Sequence, residues 1–259
     1  MSQFETIKVK QEGKIFTVQL HRPEERNAIN MQMVNELSTV IKSVYDASDI
    51  SVFIIRGLRD VFSSGIDLHN FTPDKQPDIY GFQKWEKMCS LLHRMDKLTI
   101  AAVEGECNGG AYDLLLLCDI RLAEKKALFK FDEIKMGFIP GMTIYRLAKY
   151  VGLGRAKSFI FTSRQLKATE AMDWGVIDHV ADIHQLDEMV NQFIDDCMPF
   201  HPVPNKLVRR LLDESYSEVY EDFLGHYLAA QHRAINSDTF LKKIKETAEK
   251  DAKKKSSLS

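Results

Sequence analysis

Asp113 is an acid in an apolar setting. In the run Gly109-Gly110-Ala111-Tyr112-Asp113-Leu114-Leu115-Leu116-Leu117-Cys118, a glycine pair opens a hydrophobic segment and the carboxylate falls in its first turn. An unpaired carboxylate among leucines costs several kcal/mol of desolvation. Three residues earlier, Gly110 can present a bare backbone N–H at a helix start, where aligned peptide dipoles favour negative charge. One turn would therefore hold an anion-stabilising donor and an acid or base. A second acid, Glu133, follows in Phe129-Lys130-Phe131-Asp132-Glu133-Ile134-Lys135-Met136-Gly137-Phe138-Ile139-Pro140-Gly141. The local pattern predicts helix capping for Asp132, and leaves capping and chemistry level for Glu133. A further turn, Phe62-Ser63-Ser64-Gly65-Ile66-Asp67-Leu68, can leave the N–H of Ile66 pointing outward, with an ordinary strand-ending turn as the alternative.

The surrounding pattern supplies elements to hold these groups. Residues 6–10 and 14–20 flank Glu12-Gly13 as a β-hairpin. Asn30 caps a helix whose Met33, Val34, Leu37, Val40, Ile41 and Val44 fall at helical spacing. Val52–Ile55 and Thr99–Val103 are buried strands, and residues 79–95 form a helix with Phe82, Trp85, Met88, Leu91 and Leu92 on one face. A polar loop spans 57–75, short strands run over 120–123 and 128–131, and the chain after 142 is mostly helical. The order strand–helix–strand–loop–helix–strand predicts an α/β architecture with parallel pairing. Pro202 and Pro204 mark a break, so residues 1–200 are expected to form an α/β core and 201–259 a helical C-terminal region. Apolar positions on more than one face of that region suit packing against other subunits.

Composition narrows the function classes. The 259-residue chain is 44% hydrophobic and 28% charged, with a formal net charge of −2. That balance offers no global basic field for nucleic acid. The lysines between Lys242 and Lys255 are expected to form a solvated helix end. Cys89, Cys107, Cys118 and Cys197 form no Cys-x-x-Cys pair and no zinc spacing, which predicts no metal site and suits a reducing cytosol. The longest clean apolar run is too short for a membrane span, and neither a signal peptide nor a peroxisomal tripeptide is apparent, so a cytoplasmic protein is expected.

Taken together, the two turns and two acids resemble the enoyl-CoA hydratase/isomerase, or crotonase, superfamily. The resemblance runs from about Ile7 to about Asp182. It is carried by His21-Arg22-Pro23-Glu24-Glu25-Arg26-Asn27-Ala28-Ile29-Asn30, the Phe62–Leu68 loop and Ala101-Ala102-Val103-Glu104-Gly105. Further matches are Gly109-Gly110-x-x-Asp113-Leu114 with Cys118-Asp119-Ile120, the Phe129–Gly141 stretch, and Glu170-Ala171-x-x-Trp174-Gly175-Val176-Ile177. The resemblance implies a spiral of repeated ββα units ending in a helical trimerisation region. It implies a thioester oxygen held between the N–H groups of Ile66 and Gly110, with Asp113 and Glu133 as the catalytic acids. It places coenzyme A and substrate contacts at Arg26, Ala28, Ser64, Gly65, Asp67, Leu68, Gly109 and Pro140. No cofactor is implied, since the coenzyme A thioester is the substrate. The implied assembly is a homotrimer or a dimer of trimers.

Three departures set the chain apart from the common hydratase. Asp113 stands where that enzyme has Glu, Ala111 followed by Tyr112 replaces a third Gly, and Met142-Thr143-Ile144-Tyr145-Arg146 replaces a Gly-rich stretch. The leading expectation is hydration or dehydration of an α,β-unsaturated acyl thioester by two acids. Double-bond isomerisation is second. Dienoyl-CoA isomerases add a further Asp at the position of Gly141. A third reading is a polyketide-type dehydratase or decarboxylase acting on an acyl-carrier-protein-linked group, towards which Gly137–Met142, Tyr80 and Lys84 point. A non-catalytic or RNA-binding protein using the lysine-rich tail is the alternative of another class. His69 is a candidate for the acyl pocket, and His226 and His232 lie on the C-terminal helices.

Overall fold

A computed structural model describes residues 4–69, 79–198 and 201–256. The chain packs as two compact units, Met1–Met198 and Pro199–Ser259. In the first unit, β1 (Ile7–Glu12) and β2 (Ile15–Leu20) pair antiparallel as the predicted hairpin, turning through Gly13 at φ +57°. Asn30 then caps α1 (Met31–Asp46), its side-chain oxygen accepting the N–H of Met33 at 2.8 Å. All six apolar residues predicted for the inner face of α1 are buried. Burying each contributes roughly 1.5–3 kcal/mol relative to exposure, which fixes this helix on the sheet.

The chain next repeats one module. A strand in a large sheet is followed by a strand in a small sheet and then by a helix or turn. The modules are β3 (Val52–Arg56), β4 (Val61–Ser63) and α2 (Ile79–His93); β5 (Leu98–Val103), β6 (Glu106–Asn108) and α3 (Ala111–Leu116); and β7 (Ile120–Glu124), β8 (Leu128–Lys130), a 3₁₀ turn (Glu133–Met136) and α4 (Thr143–Val151). After α5 (Leu153–Thr162), β9 (Leu166–Lys167), α6 (Ala168–Asp173), β10 (His179–Ala181) and α7 (Leu186–Cys197) complete the unit. The large sheet runs β1-β2-β3-β5-β7-β10, parallel from β2 onward, and the small one runs β4-β6-β8-β9. This is the spiral of ββα units that the sequence implies. Strands β4, β6, β9 and β10 were not predicted, and β4 falls inside the loop expected over 57–75. At two or three residues each, they are too short to show a two-residue period.

The second unit consists of α8 (Pro202–Glu214), α9 (Tyr220–Ile235) and α10 (Asp238–Ser256). Pro202 opens α8 in the first turn, where its missing N–H costs nothing. The Lys253–Lys255 run falls in α10, and its side chains lie outside the described residues, as do positions 70–75 of the predicted loop. No described helix is long and apolar enough to cross a membrane.

Candidate active site

The site grows from the small sheet. Strands β4, β6 and β8 are parallel neighbours, with Ser63 paired to Cys107 and Cys107 to Phe129. Their C-terminal ends point the same way, and the singled-out residues follow directly. Ile66 comes three residues after Ser63, Gly110 three after Cys107, and Glu133 four after Phe129. Three stretches distant in sequence are thus delivered to one edge by backbone pairing, at strand spacings of about 4.8 Å.

The two glycine turns abut. Gly65 has φ +91°, and a Cβ there would lie 2.9 Å from the carbonyl oxygen of Asn108 and 3.7 Å from the nitrogen of Gly110. Only glycine permits both that backbone conformation and that approach. A parallel bridge joins Ile29 to Ile66: the Ile29 N–H donates to Gly65 at 2.7 Å and the Asp67 N–H donates to Ile29 at 3.0 Å. In such a bridge the N–H of the central residue, Ile66, faces away from the partner strand. Gly110 opens α3 and is half-exposed.

Glu133 lies against this pair. Gly109 (φ +54°) has its missing Cβ position 1.9 Å from Oε1 of Glu133, so the carboxylate occupies the space a side chain would need. Glu133 is 3% exposed, and its Oε2 is buried without a hydrogen-bond partner. Desolvation pushes its pKa above the ordinary glutamate value. Backbone N–H groups of Glu133, Asp132 and Gly110 oppose that rise, and the nearby Asp132 charge adds to it. Asp132 itself does not cap the turn. Its carboxylate instead meets Lys130 at 2.9 Å and Lys135 at 3.7 Å and accepts from Asn108, two cations drawing it away from the turn.

Asp113 has the opposite surroundings. It is 1% exposed, and both oxygens are engaged. Oδ1 accepts from Thr143 Oγ1 and from Arg146 Nη1, each at 2.6 Å, and Oδ2 accepts from Trp85 Nε1 at 3.0 Å. Arg146 also bonds Glu86 through Nη2 at 2.6 Å. Burial disfavours the charge on Arg146, but hydrogen bonds and attraction from Glu86 and Asp113 outweigh it, and its pKa lies above the ordinary arginine value. Glu86, Cys89 and Asp113 bring ligand atoms within 4.8 Å of one another. The cation between the two acids is already the guanidinium, and burial pushes the Cys89 thiol pKa well up, so the group does not suit a metal. Trp85, Glu86, Thr143 and Arg146 were not singled out in this role from the sequence. The available signal was the acid itself, since a carboxylate among leucines demands a cation.

A pocket of about 250 Å³ opens beside the turns, lined by Arg26, Ala28, Ser64, Ile66, Leu68 and His69, with Glu24 and Glu25. Four of the expected coenzyme A and substrate contacts, Arg26, Ala28, Ser64 and Leu68, are therefore brought together. Gly65, Gly109 and Pro140 are buried and do not line it. Asp67 turns inward, 3% exposed, to pair with Arg22 at 2.8 Å and to accept the His69 N–H, and so braces the loop. Arg26, half-exposed, meets Glu106 at 2.6 Å. Tyr80 and Lys84 are both exposed on α2. In the second unit, His226 lies 2.8 Å from Glu218 and 3.3 Å from Glu214.

Known proteins are similar to this chain in sequence and fold. The family model described as enoyl-CoA hydratase/isomerase matches residues 10–255. A probable enoyl-CoA hydratase of Mycobacterium bovis is 32% identical over 238 residues, covering 90% of each chain. A mitochondrial Delta(3,5)-Delta(2,4)-dienoyl-CoA isomerase of Mus musculus is 32% identical over 205 residues, 73% of this chain and 62% of that protein. The crystal structure of an enoyl-CoA hydratase from Bacillus anthracis superimposes with a TM-score of 0.88 at 22% identity, covering 95% of this chain and 97% of that one. A putative enoyl-CoA hydratase from Thermobifida fusca, in complex with acetoacetyl-CoA, gives 0.81 at 24% identity, with 89% and 94% covered. With the ββα spiral, the paired glycine turns and these relatives in agreement, the chain belongs to the enoyl-CoA hydratase/isomerase family.

Proposed function

We propose that this protein shifts the double bond of an enoyl thioester of coenzyme A, with Glu133 as the single proton-carrying group. The carrying observation is the contrast between the acids: Glu133 keeps one buried oxygen without a partner beside Gly110, whereas both oxygens of Asp113 are taken. The thioester oxygen sits between the N–H groups of Ile66 and Gly110. The Glu133 carboxylate removes a proton from the α-carbon of a β,γ-unsaturated thioester. The released electron pair moves into the carbonyl, giving a dienolate whose oxyanion faces the two donors. The same carboxyl returns the proton to the γ-carbon, and the product is the α,β-unsaturated thioester. A raised pKa suits a group that must both take and give a proton near neutrality. The acetoacetyl-CoA held by the T. fusca neighbour supports a coenzyme A thioester in the pocket lined by Arg26, Ala28 and Ile66.

This reorders the sequence expectation, which put two-acid hydration first. Hydration remains the second reading, favoured by relatives named as hydratases at 30–32% identity. Incubation with 2-enoyl and 3-enoyl coenzyme A thioesters in H₂¹⁸O, with mass detection, separates the two. Mass-neutral interconversion without ¹⁸O is expected. Stoichiometric ¹⁸O-labelled 3-hydroxyacyl product would replace isomerisation with hydration.

A further inference from the structure

The clamp on Asp113 joins three helices. Trp85 and Glu86 come from α2, Asp113 from α3, and Thr143 and Arg146 from α4. Thr143 and Arg146 are three residues apart, on one helix face, and both reach Oδ1 at 2.6 Å. Arg146 is the only cation in the set, and its planar fork spans both carboxylates, Asp113 and Glu86, at 2.6 Å each. A guanidinium is suited to such bridging, and a lysine ammonium is not.

We propose that Arg146 is a specificity-determining positioning residue: by holding Asp113 against α4 it withholds the second carboxylate from chemistry and restricts the site to one-carboxylate proton transfer. This rests on the function proposed above. Hydration needs two proton movements at once. A water O–H bond breaks and its proton passes to one carboxylate while the oxygen bonds the β-carbon. The π electrons move into the thioester carbonyl, and a protonated second carboxyl delivers its proton to the α-carbon. With Oδ1 taken by Arg146 and Thr143 and Oδ2 by Trp85, three of the four acceptor positions of Asp113 are filled, and in a residue 1% exposed the remaining one on Oδ2 is closed to the water. Removing Arg146 frees one of the two positions on Oδ1, Thr143 keeping the other, and releases the carboxylate from α4, so the acid pair becomes available.

The test compares the full chain with Arg146→Gln and Glu86→Gln on two readouts. The first is exchange of the α-hydrogens of butanoyl-CoA with D₂O, followed by NMR, which reports Glu133 and the backbone donors. The second is the ratio of 3-hydroxyacyl to isomerised product from an enoyl-CoA in H₂¹⁸O. In R146Q, exchange is expected to stay within tenfold of wild type while the hydroxyacyl share rises at least tenfold. E86Q leaves the Arg146–Asp113 pair in place and is expected to keep the wild-type ratio. A folded, exchanging R146Q with an unchanged ratio overturns the proposal. Should R146Q fail to fold, Arg146→Lys decides: it keeps the charge but cannot bridge both acids, so a smaller rise supports the proposal and a wild-type ratio overturns it. Absence of exchange in the wild type would instead defeat the enolate function itself, so the two failures are distinguishable.

Discussion

Asp113 and Glu133 are buried to nearly the same degree and lie next to the same pair of glycines, yet their neighbourhoods are opposite. Asp113 has three donors, one of them a guanidinium. Glu133 has a packed glycine on one side, backbone dipoles on another and an oxygen with no partner. A satisfied buried carboxylate is a structural strut, because its lone pairs are occupied and its charge is balanced. An unsatisfied one costs stability and has its pKa pushed up by desolvation, a shift that suits acid–base work. Burial alone therefore does not mark the chemical residue, and the unbalanced partner list does.

The largest effect expected from breaking this contrast is at Glu133. Glu133→Gln should lower isomerisation and α-hydrogen exchange by about 10²–10⁴-fold, measured as initial rates. Retention of full exchange would transfer the proton chemistry elsewhere. Gly109→Ala comes next. Its methyl would meet Glu133 Oε1 at 1.9 Å and hold a positive φ, so about 10²-fold in kcat is expected from a displacement near 1 Å, with a lower melting temperature. Asp113→Asn should separate stability from rate. The amide still accepts from one donor set but no longer balances Arg146, so a loss of about 1–3 kcal/mol in denaturant unfolding is expected, with less than tenfold change in activity.

Two smaller effects sharpen the contrast. Because desolvation raises the Glu133 pKa, the acid limb of the pH–rate profile should lie above the usual glutamate range and vanish in Glu133→Gln. The stability sign follows from the same shift. A carboxyl whose folded pKa exceeds its unfolded value contributes most below the unfolded pKa, and that contribution is lost as pH rises through the folded pKa. Glu133→Gln should therefore raise the melting temperature more at pH 8 than at pH 4. Arg26→Ala, at a half-exposed residue paired with Glu106, should raise KM for a coenzyme A thioester only a few-fold and leave a truncated pantetheine thioester unaffected.

Much of the fold was legible because the large elements carry strong periodicity. The apolar face of α1 and the Asn30 cap are local signals, and the hairpin needs only its turn. The two glycine turns were also legible one by one. Their meeting was not, since it depends on β4 pairing with β6 across more than forty intervening residues, and β6 is three residues long. The clamp was hidden for a related reason. Asp113 announces its need for a cation, but Trp85 lies 28 residues before it and Arg146 33 after it. Nothing in the local pattern of an amphipathic α4 distinguishes an inward arginine from a solvated one. The partner of Asp67 was hidden in the same way: Arg22 lies 45 residues before it.

The parallel ends of β4, β6 and β8 have a consequence for how such a protein can change over generations. The spacing of the turns that carry Ile66 and Gly110 is inherited from the interstrand ladder, a property of backbone and not of side-chain identity. Substitutions in α2 and α4 can therefore alter the surroundings of Asp113 while the turns that follow β4 and β6 keep their spacing. New reactions become accessible by exchanging those surroundings, and the ladder that made the first reaction possible never has to be rebuilt.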